Sequence, residues 1–201
     1  MSFASRRRRK YKATTNSGHS YPVAPNRLKG LKITASNQVW VSDITYIATD
    51  EGWLYLATVK DRFTREGLGF ATGKRITTEL AQQALKQALK RRRLLQGLIH
   101  RDVQYCSHEY QDLLKEHQIT PSMSRKGNLY DNVVAENFFS CLKYEMVYLN
   151  KFSTRREAEL AVFQYTEGFY NRKRRHEALG RISPKEFRAR WELSIRARRH
   201  K

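Results

Sequence analysis

The first strongly apolar stretch of the chain is Gln38-Val-Trp-Val-Ser-Asp-Ile-Thr-Tyr-Ile47. β-Branched and aromatic residues dominate this stretch, and polar and apolar side chains alternate along much of it, which predicts a β-strand. Asp43 places a carboxylate in the middle of that strand. A buried carboxylate is costly unless it is paired, hydrogen-bonded or metal-bound. We therefore interpret Asp43 as a metal ligand, with a structural hydrogen bond as the alternative.

Strand and helix patterns follow each other along the rest of the chain. Three strands come first and the later strands are entered through helices, which favours a mixed sheet with helices on its faces. The predicted strands are 38–47, 53–59, 65–73, 97–101 and a short fifth at 119–123. The predicted helices are 77–93, 107–117, one that begins near Asp131, one from Thr154 to about Arg172, and a last short one from Ser183.

Two further acids occupy comparable positions. Asp102 ends the apolar run that begins at Gly97, and Glu136 lies one turn into the helix that begins near Asp131. Two strand acids and one helix acid can converge on one or two hard cations, and Mg²⁺ uses few carboxylates and keeps positions for water and phosphate oxygens. A metal pair clamps the attacking and leaving oxygens of a phosphoryl displacement. Glu136 has an alternative as a first-turn acid that the helix dipole favours.

The charge of the chain points to a polyanion. The net charge is +20 and the pI is about 10.3, and such a field favours nucleic acids with strongly salt-dependent binding. A plain basic surface of the ribosomal-protein kind is the alternative. Residues 1–42 contain no acid, so we predict a flexible basic arm over 1–30, a core domain over 31–190 and a basic tail over 191–201.

Several classes of protein do not fit the sequence. No apolar stretch approaches the roughly 20 residues that span a membrane, and no apolar segment follows the charged N-terminus as in a secretory signal. The two cysteines, Cys106 and Cys141, suggest no disulfide framework and fit a reducing cytoplasm. The histidines lack zinc-finger spacing. Any metal should therefore be bound by oxygen.

A series of ordered motifs closely resembles the catalytic subunit of bacterial insertion-sequence transposases of the two-reading-frame type. That group belongs with the retroviral integrases among the DDE recombinases. The resemblance runs from about Tyr11 to Phe187. The motifs that carry it are Trp40-Val-Ser-Asp-Ile-Thr-Tyr46, Gly52-Trp-Leu-Tyr55, Gly97-Leu-Ile-His100, Gln104-Tyr-Cys-Ser-His-Glu-Tyr110, Ser122-Met-Ser-Arg-Lys-Gly-Asn128, Asp131-Asn132, Ala135-Glu136 and Phe169-Tyr-Asn-Arg-Lys-Arg-Arg-His176.

The resemblance implies an α/β fold of the RNase H-like type, with a mixed five-stranded sheet flanked by helices. It implies that Asp43, Asp102 and Glu136 are catalytic residues that bind two divalent ions, either Mg²⁺ or Mn²⁺. The implied activity is DNA cleavage and strand transfer of an insertion sequence. We further expect a homo-oligomer on DNA, no membrane contact, a bacterial cytoplasmic location at the nucleoid, and a helix-turn-helix partner protein or domain supplied separately.

Six basic residues are predicted to contact DNA. The family has a basic residue two turns after its Glu, which falls on Lys143, and Glu136, Ser140 and Lys143 independently share one helix face. A solvated lysine is the alternative. The other five lie in a basic loop and at a basic helix end. The alternatives are that the loop is an ordinary surface loop and that the helix-end residues only complement the helix dipole. The five residues are Arg125, Lys126, Arg172, Arg174 and Arg175.

The sequence departs from the family at two places. After Asp102 it continues Val103-Gln-Tyr105, two residues shorter than the family's Asp-Arg-Gly-Ser-Gln-Tyr. Two extended residues span about 6–7 Å, and a misplacement of about 1 Å already costs much rate. The helix-turn-helix region expected upstream of Tyr11 is also lacking. A truncated, catalytically impaired DNA-binding remnant therefore stands as an alternative to an active transposase, and an RNase H-type nuclease as a further one.

Overall fold

The computed structural model describes residues 24–94, 97–101, 107–123 and 133–199. Five strands form one sheet in the order β3-β2-β1-β4-β5. Their bounds are β1 Val39–Thr49, β2 Gly52–Asp61, β3 Gly67–Gly73, β4 Leu98–Arg101 and β5 Thr120–Met123. The first three strands pair antiparallel, and β4 pairs parallel to both β1 and β5. The predicted mixed five-stranded sheet is confirmed, including its short fifth strand.

Within the described residues, the central strand β1 is paired on both sides at its beginning and with β2 alone further along. It pairs with β4 from Val39 to Ser42, where Ser42 lies opposite Arg101. Asp43 is the next residue, and it lies opposite Thr58 of β2. Asp43 thus stands at the point where the described pairing with β4 ends. Asp102, the residue after Arg101, lies outside the described residues.

Five α-helices flank the sheet, and their bounds are α1 Thr78–Arg91, α2 His108–Glu116, α3 Val133–Glu145, α4 Arg155–Phe163 and α5 Pro184–Arg199. Side-chain caps fix three of their starts. Thr77 accepts a hydrogen bond from the Leu80 backbone, and Ser107 accepts one from the Tyr110 backbone. Thr154 and Glu157 form a capping box, which satisfies two backbone donors at once. The predicted starts at Ser107 and Thr154 are confirmed.

Two helix predictions need correction. The helix from Thr154 leaves α-helical winding at Phe163, and residues Gln164–Tyr170 form a π-helix. The i→i+5 spacing of that winding places Tyr165 and Tyr170 together on the buried side. The last helix is not short, since α5 has 16 residues. It enters the segment predicted as a basic tail, and the predicted domain boundaries remain predictions.

Charge pairs support the first half of α5. Arg188 lies 2.8 Å from Glu192, and Arg190 lies 2.6 Å from Glu186, both at i,i+4 spacing. Such pairs each stabilise a helix by about 0.2–0.5 kcal/mol. The prediction of a tail from residue 191 overlooked that Glu192 is spaced to pair with Arg188 within one continuous helix.

The sheet has a hydrophobic cluster on each face. On one face, α1 and α2 pack against Trp40, Ala57 and Val59. On the other, α3 and α4 pack against Ile47 and Leu56. Trp40 is fully buried, whereas Trp53 is half exposed at the β1–β2 hairpin end, where it packs on Tyr46. Among the described helices, none is long and apolar enough to cross a membrane.

A close approach between β3 and α1 gives a stability prediction. A Cβ atom on Gly69 would lie 2.7 Å from the backbone nitrogen of Ala88 and would also collide with the Ala84 carbonyl. Because both obstacles are backbone atoms, Gly69→Ala should lower the free energy of unfolding by about 1–3 kcal/mol. Urea unfolding followed by circular dichroism measures this.

The matched control is Gly168→Ala in the π-helical segment. A Cβ there meets nothing within 4 Å, so the variant should be as stable as the wild type or gain up to about 1 kcal/mol. Equal effects of the two substitutions would contradict the close packing of β3 on α1.

Candidate active site

Helix α3 is positioned on β1 by its first turn. Val134 and Ala135 form a small buried cluster with Val41. Phe138 and Leu142, further along α3, are 1% and 0% exposed in the larger cluster on the same face of the sheet. Val134, Phe138 and Leu142 therefore form the face of α3 that is turned to the core.

The outer face of α3 carries the predicted functional residues. Glu136 and Ser140 are exposed and Lys143 is half-buried. Because residues three and four apart on a helix are neighbours, these side chains form one row. The row begins in the turn that contacts Val41, so Glu136 lies at the end of α3 that meets the centre of β1.

Asp43 shares a sheet face with Val41, because side chains two residues apart on a strand point the same way. Its carboxylate is partly buried, and Oδ1 accepts a 2.7 Å hydrogen bond from the Ile44 backbone. Val41 contacts the first turn of α3. Asp43 and Glu136 are therefore brought to the same region by the β1–α3 contact.

The electrostatics of Lys143 support this placement. Burial lowers the pKa of its ammonium, and the charge of Asp43 acts in the opposite direction. Its Nζ lies 5.0 Å from the centre of the Tyr46 ring, within the range of a cation–π contact. A cation thus lies within electrostatic reach of Asp43.

Three of the predicted site residues, Asp102, Arg125 and Lys126, lie outside the described residues. Within the described part, no group of three His, Cys, Asp or Glu side chains is arranged to hold a metal ion. Asp43 and Glu136 offer only carboxylate oxygens, which are the donors that hard divalent cations take. The pair fits part of such a site, and a third acid is needed to complete it.

A buried lysine behind this site was missed by the sequence analysis. Lys60 on β2 lies opposite Val41 and is 1% exposed. Its Nζ donates a 2.6 Å hydrogen bond to the Tyr170 hydroxyl and lies 4.3 Å from the centre of the Phe138 ring. Burial holds the pKa of Lys60 well below its ordinary value. Its two-residue spacing from Thr58 and Leu56, on the face toward α3, is the sequence signal that could have revealed it.

The motif Phe169–His176 braces this region. The Asn171 side chain accepts a 2.8 Å hydrogen bond from the Gly67 backbone nitrogen and donates a 2.9 Å one to the Gly67 carbonyl. Arg174 makes a bidentate contact with Glu145 at the end of α3, at 2.6–2.9 Å. Of the predicted DNA contacts here, Arg172 and Arg175 are exposed, and Arg174 is engaged within the protein.

The chain matches models of a known protein family. Two family models, both described as integrase core domain, match residues 33–129 and 136–191. The chain belongs to the integrase core family. The matches include Asp43, Asp102 and Glu136, and the boundary between the two models falls just before Glu136.

Curated relatives cover most of this integrase core chain. It is 48% identical over 190 residues to the insertion element IS600 uncharacterized 31 kDa protein of Shigella sonnei, across 92% of the chain and 70% of that relative. It is 43% identical over 183 residues to the transposase InsF for insertion sequence IS3A of Escherichia coli K12, across 89% of the chain. The chain spans 64% of the length of InsF.

Solved structures show the same fold at low sequence identity. The chain matches a protein in a simian T-cell lymphotropic virus intasome with a TM-score of 0.63 at 19% identity, over 86% of the chain and 60% of that protein. It matches the catalytic core domain of BIV integrase with a TM-score of 0.58 at 17% identity, over 79% of the chain and 98% of that domain. The RNase H-like fold that the resemblance implied is confirmed.

The burial of Lys60 predicts a pH dependence of stability. Its pKa is lowered in the folded state, so below the ordinary lysine pKa of about 10.4 the unfolded chain binds more protons, and the stability of the wild type rises with pH. Lys60→Met removes this contribution. The stability of the variant relative to the wild type should therefore fall from pH 7 to pH 10, by up to about 1.4 kcal/mol per pH unit.

Urea unfolding at pH 7, 8.5 and 10 measures the difference between the two proteins. The matched control is Lys115→Met, at an exposed lysine on α2, whose stability should follow the wild type at all three pH values. If the Lys60→Met and wild-type stabilities run parallel across the range, the lowered pKa of Lys60 is wrong.

Proposed function

We propose that this chain is the catalytic core of an insertion-sequence transposase, which cuts DNA at an end of its element and joins the freed 3′ hydroxyl to another DNA phosphate. The observation that carries the proposal is the packing of α3, which bears Glu136 and Lys143, against the strand that bears Asp43 in an integrase core fold. Two carboxylates beside a cation suit a reaction at a phosphate, because the acids hold metal and the cation holds phosphate oxygens.

Asp102 is proposed as the third acid. The proposed cofactor is a pair of divalent ions, either Mg²⁺ or Mn²⁺. Asp102 follows Arg101, which is the last described residue of β4 and is paired with Ser42 next to Asp43. When bound there, divalent ions supply Lewis-acid stabilisation of the attacking and leaving oxygens. A related retroviral structure, the HTLV-2 integrase catalytic core domain with a TM-score of 0.57, was solved in complex with magnesium.

The residues of the chain have separate tasks in this proposal. Lys143 holds an oxygen of the reacting phosphate beside Asp43. Arg125, Lys126, Arg172 and Arg175 contact the DNA backbone, which a net charge of +20 favours at long range. Arg174 would have to share or release Glu145 in order to reach DNA.

The partners in the proposal are the element ends, the target DNA and further copies of the chain. Assembly on DNA is supported by the likeness to an intasome protein. A helix-turn-helix protein or domain supplied separately would recognise the element end, and the cytoplasm of a bacterium, at the nucleoid, would be the location. An impaired DNA-binding remnant is a second candidate, because the segment after Asp102 is shorter than in the family.

Conservative replacement of an acid tests the catalytic assignment. Asp43→Asn and Glu136→Gln should each lower strand transfer in Mg²⁺ at least about 100-fold, because each removes a charge that holds metal. A labelled duplex that carries the terminal repeat of the element is the substrate. DNA affinity in EDTA should stay within about twofold, since no metal is then bound.

The matched control is Asp112→Asn, at an exposed carboxylate on α2, which should leave strand transfer unchanged. Near wild-type transfer by Asp43→Asn would refute the proposed catalytic role.

Calorimetry with Mn²⁺ separates an active site from a remnant. The transposase proposal predicts saturable Mn²⁺ binding by the wild type that is lost in Asp102→Asn and kept in Asp112→Asn. If the wild type binds no Mn²⁺ while it still binds DNA, the remnant is correct and the shortened segment after Asp102 has disabled the site.

A further inference from the structure

A cavity of about 680 Å³ lies beside the proposed active site. One wall is the first turn of α3, with Val133, Val134 and Asn137. Asn137 directly follows Glu136, so the two Cα atoms are about 3.8 Å apart. The opposite wall comes from the motif Phe169–His176 and from Arg65 in the β2–β3 connection. The wall of the cavity therefore comes within one residue of the acid that we assign to the metal site, and Glu136 itself does not line it.

The lining carries an excess of positive charge. Arg65, Arg174 and Arg175 line the cavity together with one acid, Glu177. Arg174 is paired with Glu145. Arg65 and Arg175 form no ion pair within the part of the chain that the structure describes. Burial lowers the pKa of the Arg65 guanidinium, which reflects the cost of a partly buried charge that a bound anion would relieve.

His176 supplies a polar atom to the same cavity. The residue is 7% exposed and lines the cavity, and among the described residues its Nε2 has no hydrogen-bond partner. An unsatisfied buried polar atom costs about 1–3 kcal/mol. A ligand in the cavity with an acceptor oxygen would remove that cost.

The walls are held in place before any ligand arrives. The Tyr170 ring packs edge-on against His176, with the ring centres 4.9 Å apart, and its hydroxyl accepts the hydrogen bond from Lys60. Asn171 fastens the β2–β3 connection, which carries Arg65, through both backbone groups of Gly67. A site whose groups are fixed in advance loses little entropy when it binds.

We propose that this cavity binds a phosphate group of the DNA strand that runs past Glu136, with Arg65 and Arg175 as its cations and the Nε2–H group of His176 as a hydrogen-bond donor. The inference rests on the proposed function, since it takes the reacting phosphate to lie beside Glu136. Phosphates on one strand are spaced by about 3.4 Å of helix axis, so a phosphate close to the reacting one reaches the cavity.

Salt-dependent DNA binding tests the two arginines. Fluorescence anisotropy with a 20-base-pair duplex is measured in EDTA over a range of salt concentrations, so that no metal or cleavage is involved. Arg65→Gln and Arg175→Gln should each weaken binding and reduce the slope of log K against log salt by about 1. The control Lys173→Gln, at an exposed lysine that does not line the cavity, should leave the slope unchanged.

Nitrogen-15 NMR of the His176 imidazole, assigned by comparison with His176→Gln, gives a second readout that does not depend on DNA affinity. The probes are inorganic phosphate and a tetranucleotide with and without a 5′ phosphate. A shift with both tetranucleotides supports an internal phosphodiester, and a shift with inorganic phosphate and the phosphorylated tetranucleotide alone supports a terminal phosphate. Both results support phosphate binding.

The proposal is overturned if no probe moves the His176 signals, or if both arginine variants bind DNA as Lys173→Gln does. Circular dichroism confirms that each variant is folded before it is compared. If the wild type shows no Mg²⁺-dependent strand transfer but the EDTA and NMR experiments give the expected results, the proposed transposase function is contradicted and the phosphate site is still supported.

Discussion

The contact between Val41 and the first turn of α3 is the constraint on which the site depends. Val134 and Ala135 cover Val41 at the centre of the sheet. This contact sets the position of α3 along β1 and the face that α3 turns to the sheet. Glu136 follows Ala135 directly, and Asp43 follows Val41 by two residues on the same face. Because core packing tolerates little displacement, the same few apolar contacts that close the core also set the relative position of two acids far apart in the chain.

The brace behind α3 gives a structural role to a motif whose arginines the sequence analysis assigned to DNA contact. In Phe169–His176, Tyr170 binds the buried Lys60, Asn171 binds Gly67, and Arg174 binds Glu145. These contacts join β2, β3 and the end of α3 to one segment. A motif rich in arginine next to a DNA-binding site is readily interpreted as a surface for DNA, yet part of it serves to hold the helix that carries Glu136.

Local patterns predicted the strands, the helix starts at Ser107 and Thr154, and the helix that carries Glu136, because these features depend on near neighbours along the chain. They did not predict the burial of Lys60, which depends on Phe138 and Tyr170 from distant parts of the sequence. They also did not predict the π-helical winding after Phe163, in which Tyr165 and Tyr170 both lie in the same core cluster. Asp43 and Glu136 were proposed from their positions in a strand and a helix and from the resemblance, and the packing of α3 on Val41 gives a physical reason to place them in one region.

The central claim is that Asp43, Asp102 and Glu136 gather around divalent metal. The most direct measurement is anomalous diffraction from crystals of the chain grown with Mn²⁺. The account predicts anomalous peaks about 2–2.5 Å from carboxylate oxygens of Asp43 and Asp102, with Glu136 completing the site. Well-ordered density with the Asp102 carboxylate turned away from Asp43, and no anomalous peak between Asp43 and Glu136, would contradict it.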